Sequence, residues 1–208
     1  MPKKAGIAFV VLGAALILSA LLLLLYNRRE DASAGRAAES MLAGVEAAVS
    51  GQISEVKEGA EPDGTPEAET LDPELPVAEI DGYEYVGYIE IPALRLKLPV
   101  MSEWDYARLK LAPCRQFGSS RTDDLVIAAH NYDNHFGRLK ELTAGDAVIF
   151  TDMDGIVNRY RVDDTVTIQP SEVEAVQNSG YDLVLYTCTT SGRTRVAVFC
   201  SRAPEDIS

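Results

Sequence analysis

The sequence predicts an all-β domain, a closed barrel with short helices in its connections, carried behind an N-terminal helix long enough to cross a membrane. Three observations predict this. Residues 5–26, AGIAFVVLGAALILSALLLLLY, contain no charge. From Tyr83 onward, short runs rich in Val, Ile, Tyr and Thr succeed one another with turn residues between them. Between these regions lies a stretch of different composition, acidic and dotted with proline.

The first element is the apolar run. As a helix rising about 1.5 Å per residue it spans roughly 33 Å, enough for a hydrocarbon core of about 30 Å. Residues 1–29 are therefore assigned as a membrane anchor. A cleaved signal peptide is the competing reading, because Ala32-Ser33-Ala34 has the small residues of a cleavage site. The run is longer than a signal's apolar region of about 7–15 residues, and Arg28, Arg29, Glu30 and Asp31 separate it from that site. Lys3 and Lys4 on one side balance Arg28 and Arg29 on the other, so charge alone leaves the orientation open.

Residues 30–81 form the second element, an acidic linker. In its first half Met41, Leu42, Val45, Val49 and Val56 recur at near-helical spacing, which predicts a short amphipathic helix. The second half holds Pro62, Pro66, Pro73 and Pro76 among acidic residues. Such a composition buries too little apolar surface to offset its ordering entropy, so an extended linker or a loosely docked arm is expected, with a solvated spacer favoured over a lid.

The third element, residues 82–208, contains the strand-like runs YEYVGYIEI, LKLPVM, LVIAAH, AVIFTD, VNRYRVDDTVTI, DLVLYTC and TRVAVFC. Helical patterns interrupt them at 103–110 and 136–142, and a third comes after Pro170 at 171–177, where Ser171 and Glu174 resemble a capping box. Seven or eight short strands in this length predict a barrel.

The chain's 208 residues carry a formal charge of −13. By segment this divides into +4 for residues 1–29, −12 for 30–81 and −5 for 82–208. No segment offers the basic face that a phosphate backbone requires, so nucleic acid is excluded as a partner. The membrane, through residues 5–26, is an expected one.

Chemistry must come from a short inventory: His130, His135, Cys114, Cys188 and Cys200. An odd cysteine count leaves at least one thiol unpaired within the chain. The histidines stand five apart in HNYDNH and no Cys-x-x-Cys pair exists, so neither a metal nor another cofactor is expected. A cysteine nucleophile with a histidine partner is the alternative. Cys188 ends the run DLVLYTC, His130 ends LVIAAH, and Arg195 opens TRVAVFC across a short turn containing Gly192. Three strand ends thus offer a thiol, an imidazole and a guanidinium. Clustered, these would supply a nucleophile, an acid/base and a cation for an oxyanion. Alternation places Tyr186 and Val184 on the face of Cys188, Ala128 on that of His130 and Ala197 on that of Arg195. Spacing alone equally admits a buried small Cys188, a satisfied His130 and a surface Arg195. Cys114 and Cys200 are read as structural, with Cys200 on the face opposite Arg195.

At these motifs the sequence resembles the sortases, membrane-anchored cysteine transpeptidases of mainly Gram-positive bacteria. VIAAHNYDNHFGRLKELTAGD around His130, LYTC ending at Cys188 and TRVAVF after it carry the resemblance, which covers about residues 83–202. It implies the eight-stranded sortase β-barrel. It implies that Cys188 attacks the Thr–Gly bond of an LPxTG-like C-terminal sorting signal and forms a thioester. His130 would be the acid/base and Arg195 the oxyanion or signal-positioning group, with Arg193 the competing arginine. Ala128, Tyr186 and Thr187 would lie near the signal-binding groove. The implied partners are proteins bearing the signal and an amine acceptor, a peptidoglycan precursor's cross-bridge or a pilin lysine. The implied location is the plasma membrane, with the barrel extracytoplasmic.

Several features depart from the family pattern. TLxTC becomes Leu185-Tyr186-Thr187-Cys188 after Val184, without the first Thr, and the loop from Cys188 to Arg195 is short. No second apolar span comes after the barrel runs, which argues against the pilus-polymerising class. Asp72-Pro73 resembles that class's lid, but Glu74 stands where an aromatic is expected, so no lid is predicted. A purely hydrolytic cysteine peptidase and a non-enzymatic anchored scaffold are the rival functions.

Overall fold

The computed structural model describes residues 2–59, 72–172, 176–189 and 191–204. The chain divides into two compact units, Met1–Ser33 and Ala34–Ser208. One helix, α1 (Pro2–Gly59), contributes to both. In the first unit the apolar side chains from Ile7 to Leu25 are exposed around the helix, and it is long and apolar enough to cross a membrane. A helix apolar on every side is suited to lipid, where it meets no penalty for exposing leucine.

Within the second unit α1 becomes one-sided. Ala34, Ala38, Val45 and Val49 are buried at spacings of four and seven. The amphipathic stretch expected from Met41 to Val56 is therefore helical, as part of the single helix that begins at Pro2 rather than as a separate short one. Val45 and Val49 pack with Tyr85, Met101, Cys114 and Met153, and Glu46 pairs with Lys97 at 2.6 Å.

Nine strands are found among the described residues: β1 (Ala78–Ile80), β2 (Tyr83–Ile91), β3 (Leu96–Met101), β4 (Cys114–Phe117), β5 (Leu125–Ala128), β6 (Ala147–Asp152), β7 (Val157–Ile168), β8 (Leu183–Cys188) and β9 (Arg195–Arg202). Their order is β1-β2-β3-β4-β5-β8-β9-β7-β6, and β6 also pairs with β2. Strands β2–β9 thus close into an eight-stranded barrel, which leaves none of these eight as an edge strand of the sheet. β1 is an extra short strand paired to the start of β2. The barrel interior is filled by alternate residues, among them Ile89, Ile91, Ile127, Phe150, Leu185 and Val198.

Residues 60–71 of the proline-containing segment lie outside the described residues. Residues 72–81 are docked on the barrel rather than extended into solvent. Leu75 is buried in the barrel cluster, Ile80 packs beneath α1, and Arg121 donates to the carbonyl oxygens of Asp72 and Glu74 at 3.1 and 3.4 Å. Two apolar anchors and a guanidinium overcome the charge and proline that favour a solvated spacer.

The helical patterns at 103–110 and 136–142 shrink to single 3-10 turns, Arg108–Lys110 and Leu139–Glu141. Asp105 accepts from the backbone N–H groups of Ala107 and Arg108 at 2.7 and 2.8 Å, the contacts of a residue that caps the start of a helical turn. The pattern at 171–177 begins as a 3-10 turn, Pro170–Glu172, and residues 173–175 lie outside the described ones.

Candidate active site

The site is built on β5, β8 and β9, which are adjacent in the sheet. β5 runs parallel to β8, with Ala128 opposite Tyr186, and β8 runs antiparallel to β9, with Cys188 opposite Arg195. His130 lies two residues beyond Ala128, as Cys188 lies two beyond Tyr186. Thiol, imidazole and guanidinium therefore come to one open end of the sheet, on three separate strand ends. All three residues are half-buried.

Alternation then divides the strands between two jobs. Val126, Ala128, Val184, Tyr186 and Ala197 form an outer apolar cluster, joined by Val176 and flanked by Leu109, Val166, Ile168, Tyr181 and Phe199. Leu183, Leu185, Val196, Val198 and Cys200 point into the barrel. Ala128 and Tyr186 share the outer surface. Thr187 does not. It is 2% exposed and its hydroxyl donates to the Ala129 carbonyl at 2.9 Å, on the opposite face from Cys188 and Tyr186. Its position reflects the period of two along a strand. The bond ties β8 to the residue preceding His130.

Around Cys188 the chain turns tightly. Thr189 N–H donates to the Thr194 carbonyl at 3.0 Å, and Gly192, at φ 69°, occupies the left-handed region that glycine enters without a steric cost. Arg195 Nη1 donates to the carbonyl oxygens of Gly192 and Thr194, each at 3.1 Å, so the guanidinium is held against the turn beside Cys188. Arg193 is exposed on the turn itself. Burial raises the Tyr186 hydroxyl above the ordinary phenol range. The Arg195 cation opposes this rise and Cys188 adds to it.

The His130 loop is equally fixed. Phe136 N–H donates to the His130 carbonyl at 3.2 Å, and the N–H groups of His135 and Gly137 both donate to the Tyr132 carbonyl at 2.9 Å. Phe136 and Leu139 anchor the loop in the core, each fully buried. A Cβ at Gly137 would lie 2.5 Å from the Asn131 carbonyl oxygen, so this position excludes any side chain. The Tyr132 ring stacks on His130 at 4.3 Å and 8°, and meets His135 edge-on at 5.6 Å.

Asn131 and Tyr132 are contributors that sequence reasoning misses. The spacing of the histidines in HNYDNH draws attention to its ends, whereas its second and third residues are the ones that hold the first. The exposed pair Trp104 and Tyr106, with rings 5.0 Å apart, likewise carries no signal in the sequence pattern.

Cys114 and Cys200 are fully buried and unbridged, and burial pushes both thiols up to about 12. Neither supplies a thiolate at neutral pH. A half-buried cysteine facing an arginine, with a histidine at the same strand ends, has the composition of a thiol acyl-transfer site.

The sequence model of the Sortase domain matches residues 89–203. No curated protein sequence matches the chain. Among solved structures, sortase C1 from Streptococcus suis is similar at 24% identity and TM-score 0.52, covering 59% of this chain and 75% of that one. Sortase C1 of GBS pilus island 1 aligns at 20% identity and TM-score 0.59, over 82% and 94% of the two chains. Streptococcus pneumoniae sortase C aligns at 22% and 0.53, over 86% and 91%. At these identities the likeness is one of fold.

Proposed function

The chain belongs to the sortase family of transpeptidases, and from that premise we propose that it is a membrane-anchored cysteine transpeptidase acting on an LPxTG-like C-terminal sorting signal through Cys188. The observation that supports this most is the pairing of Cys188 with Arg195, with His130 at the end of the neighbouring parallel strand.

In this reading the Cys188 thiol passes its proton to His130 and its sulfur attacks the threonine carbonyl carbon of the Thr–Gly bond. The carbonyl oxygen gains negative charge, which Arg195 stabilises or, through the signal, positions. The C–N bond breaks as His130 delivers a proton to the departing glycine amine, leaving a thioester on Cys188. An incoming amine then attacks the thioester carbon and gives up a proton to His130. The new amide forms, and Cys188 leaves with the electron pair of the C–S bond. The outer cluster containing Ala128, Tyr186 and Ala197 supplies an apolar floor suited to the leucine and proline of the signal.

Acceptor candidates are the amine of a peptidoglycan precursor's cross-bridge and a lysine of another protein. One similar structure is described as a pilus-related sortase C of Group B Streptococcus, which makes a pilin lysine an acceptor to test. The apolar half of α1 would anchor the enzyme in the plasma membrane, with the barrel on the extracytoplasmic side where both substrates reside.

The test uses the detergent-solubilised full chain with an LPxTG-like peptide, in the presence and absence of a glycine-type amine. Mass spectrometry should find the peptide's acyl portion on Cys188, and added amine should convert it to a ligated product. Cleavage that yields only the free acid at every amine concentration would make the enzyme a hydrolase. No adduct on Cys188 with any peptide of a sorting-signal library would remove the catalytic proposal altogether.

A further inference from the structure

Every observation at His130 Nδ1 leads to its sequence neighbour. The Asn131 side-chain oxygen lies 3.0 Å from Nδ1, and the Asn131 backbone N–H donates to the same nitrogen, also at 3.0 Å. The Asn131 Nδ2 donates to the Thr189 carbonyl at 3.3 Å, one residue after Cys188. That last bond fixes the amide's orientation. With Nδ2 on a carbonyl, Oδ1 must face the imidazole, because the flipped amide would set two carbonyl oxygens against each other.

The two contacts at Nδ1 make opposite demands. A backbone N–H favours a bare nitrogen with its lone pair available, whereas a carbonyl oxygen favours a protonated one. The backbone donor would be present with any residue except proline at 131. Only the side chain supplies the acceptor. With the backbone donor constant, the side chain is the group whose identity can bias which nitrogen of the neutral ring carries the proton, and its oxygen is also an acceptor for Nδ1–H of the charged ring.

We propose that Asn131 is a positioning residue: its amide keeps the proton of neutral His130 on Nδ1, leaves Nε2 as the nitrogen that exchanges protons with substrate, and ties the imidazole to the end of the Cys188 strand through Thr189. Tyr132 completes the clamp by fixing the plane of the ring from one face. The device requires an amide. A side chain that only accepts could hold Nδ1–H but not donate to Thr189, and one that only donates would favour the wrong tautomer. This inference deepens the functional reading and rests on it for the catalytic role of His130. Its tautomer component stands on the geometry alone.

The experiment compares the full chain with its Asn131→Ala and Asn131→Asp variants in detergent. Nitrogen-15 NMR of the histidine ring reports the tautomer without any substrate. The wild type should show a protonated Nδ1 and bare Nε2 in its neutral ring, and Asn131→Ala should shift the proton to Nε2. With sorting-signal peptide, Asn131→Ala should lower kcat by about 10- to 100-fold, part of the roughly 10²–10⁴ that a positioned acid/base contributes, with KM little changed. Asn131→Asp keeps the size and the acceptor but adds a negative charge. It should hold the Nδ1–H form and move the histidine limb of the pH–rate profile upward by about one unit, because an adjacent anion favours the imidazolium. The Asp variant also guards against misfolding of the Ala variant, since its shape is that of asparagine. An unchanged tautomer in Asn131→Ala, or an unmoved limb in Asn131→Asp, would overturn the proposal. If the tautomer shifts as stated while the wild type cleaves no sorting-signal peptide, the positioning role stands and the transpeptidase reading fails.

Discussion

Cys188 and Cys200 lie on paired strands of one sheet, but on opposite faces of it. Cys200 sits opposite Leu183, points into the barrel among Leu185 and Val198, and is fully buried. Burial pushes its thiol up to about 12, where it behaves as a small apolar residue. Cys188 sits opposite Arg195 at the strand's open end, half-buried, beyond the last inward-facing layer. The contrast teaches that access to a thiol here is set by face and depth, not by residue type. A single alternating strand, β8, supplies the core through Leu183, Leu185 and Thr187, and the site through Tyr186 and Cys188.

The largest expected effect breaks the contrast at its reactive end. Cys188→Ala should abolish the acyl-enzyme detected by mass spectrometry, and His130→Ala should lower turnover by about 10²–10⁴-fold. Both should leave the melting temperature close to wild type, because neither side chain fills the barrel. A folded Cys188→Ala protein that still cleaves would show that the outer face is not where catalysis resides.

The inner face should answer with stability instead. Leu185→Ala, which empties a fully buried position between Ile127 and Val198, should cost about 2–5 kcal/mol in denaturant unfolding. If it lowered turnover of the folded fraction as strongly as His130→Ala does, core and site would not be separable functions of the strand.

Thr187→Val tests the join between the faces. It leaves the buried Ala129 carbonyl without the hydroxyl it now accepts from, at a cost of about 1–3 kcal/mol. Since this bond ties β8 to the residue before His130, a smaller loss of kcat should accompany the loss of stability. Measured stability equal to wild type would show that the bond does not hold the two strands.

The smallest effect sharpens the comparison through pH. Cys114 and Cys200 both start from an ordinary thiol value of 9.0 and are pushed up to about 12 by burial. Between these values the unfolded chain releases protons that the native chain retains. Their contribution to stability is therefore complete below about pH 9 and declines as the pH rises toward 12. Alkylation by iodoacetamide at pH 8 should modify Cys188 in the native protein and reach the other two only on unfolding. Modification of all three in the folded protein at equal rates would contradict the burial that separates them.

Much of this is legible in the sequence. The β-runs from YEYVGYIEI to TRVAVFC each correspond to strands, because period-two alternation records which side of a sheet faces a core. Cys188, His130 and Arg195 stand out as chemistry-bearing residues at the ends of apolar runs. The helical patterns at 103–110 and 136–142 mislead, since each forms only a single 3-10 turn. Leu75 and Ile80 are hidden in an acidic, proline-containing context whose average conceals two well-placed apolar residues.

By itself, then, the sequence determined the apolar helix, the barrel class and a short set of candidate reactive groups, because these depend on composition and on periodicity along one strand at a time. Only the tertiary structure decided which strands are neighbours, that β5 lies parallel to β8, and that Arg195 stands across from Cys188. It alone brought the Asn131 amide between His130 Nδ1 and the Thr189 carbonyl. The bonds from Asn131 to Thr189 and from Thr187 to Ala129 join segments 58 residues apart in the chain. No local pattern encodes such a relation, because it is set by closure of the whole barrel.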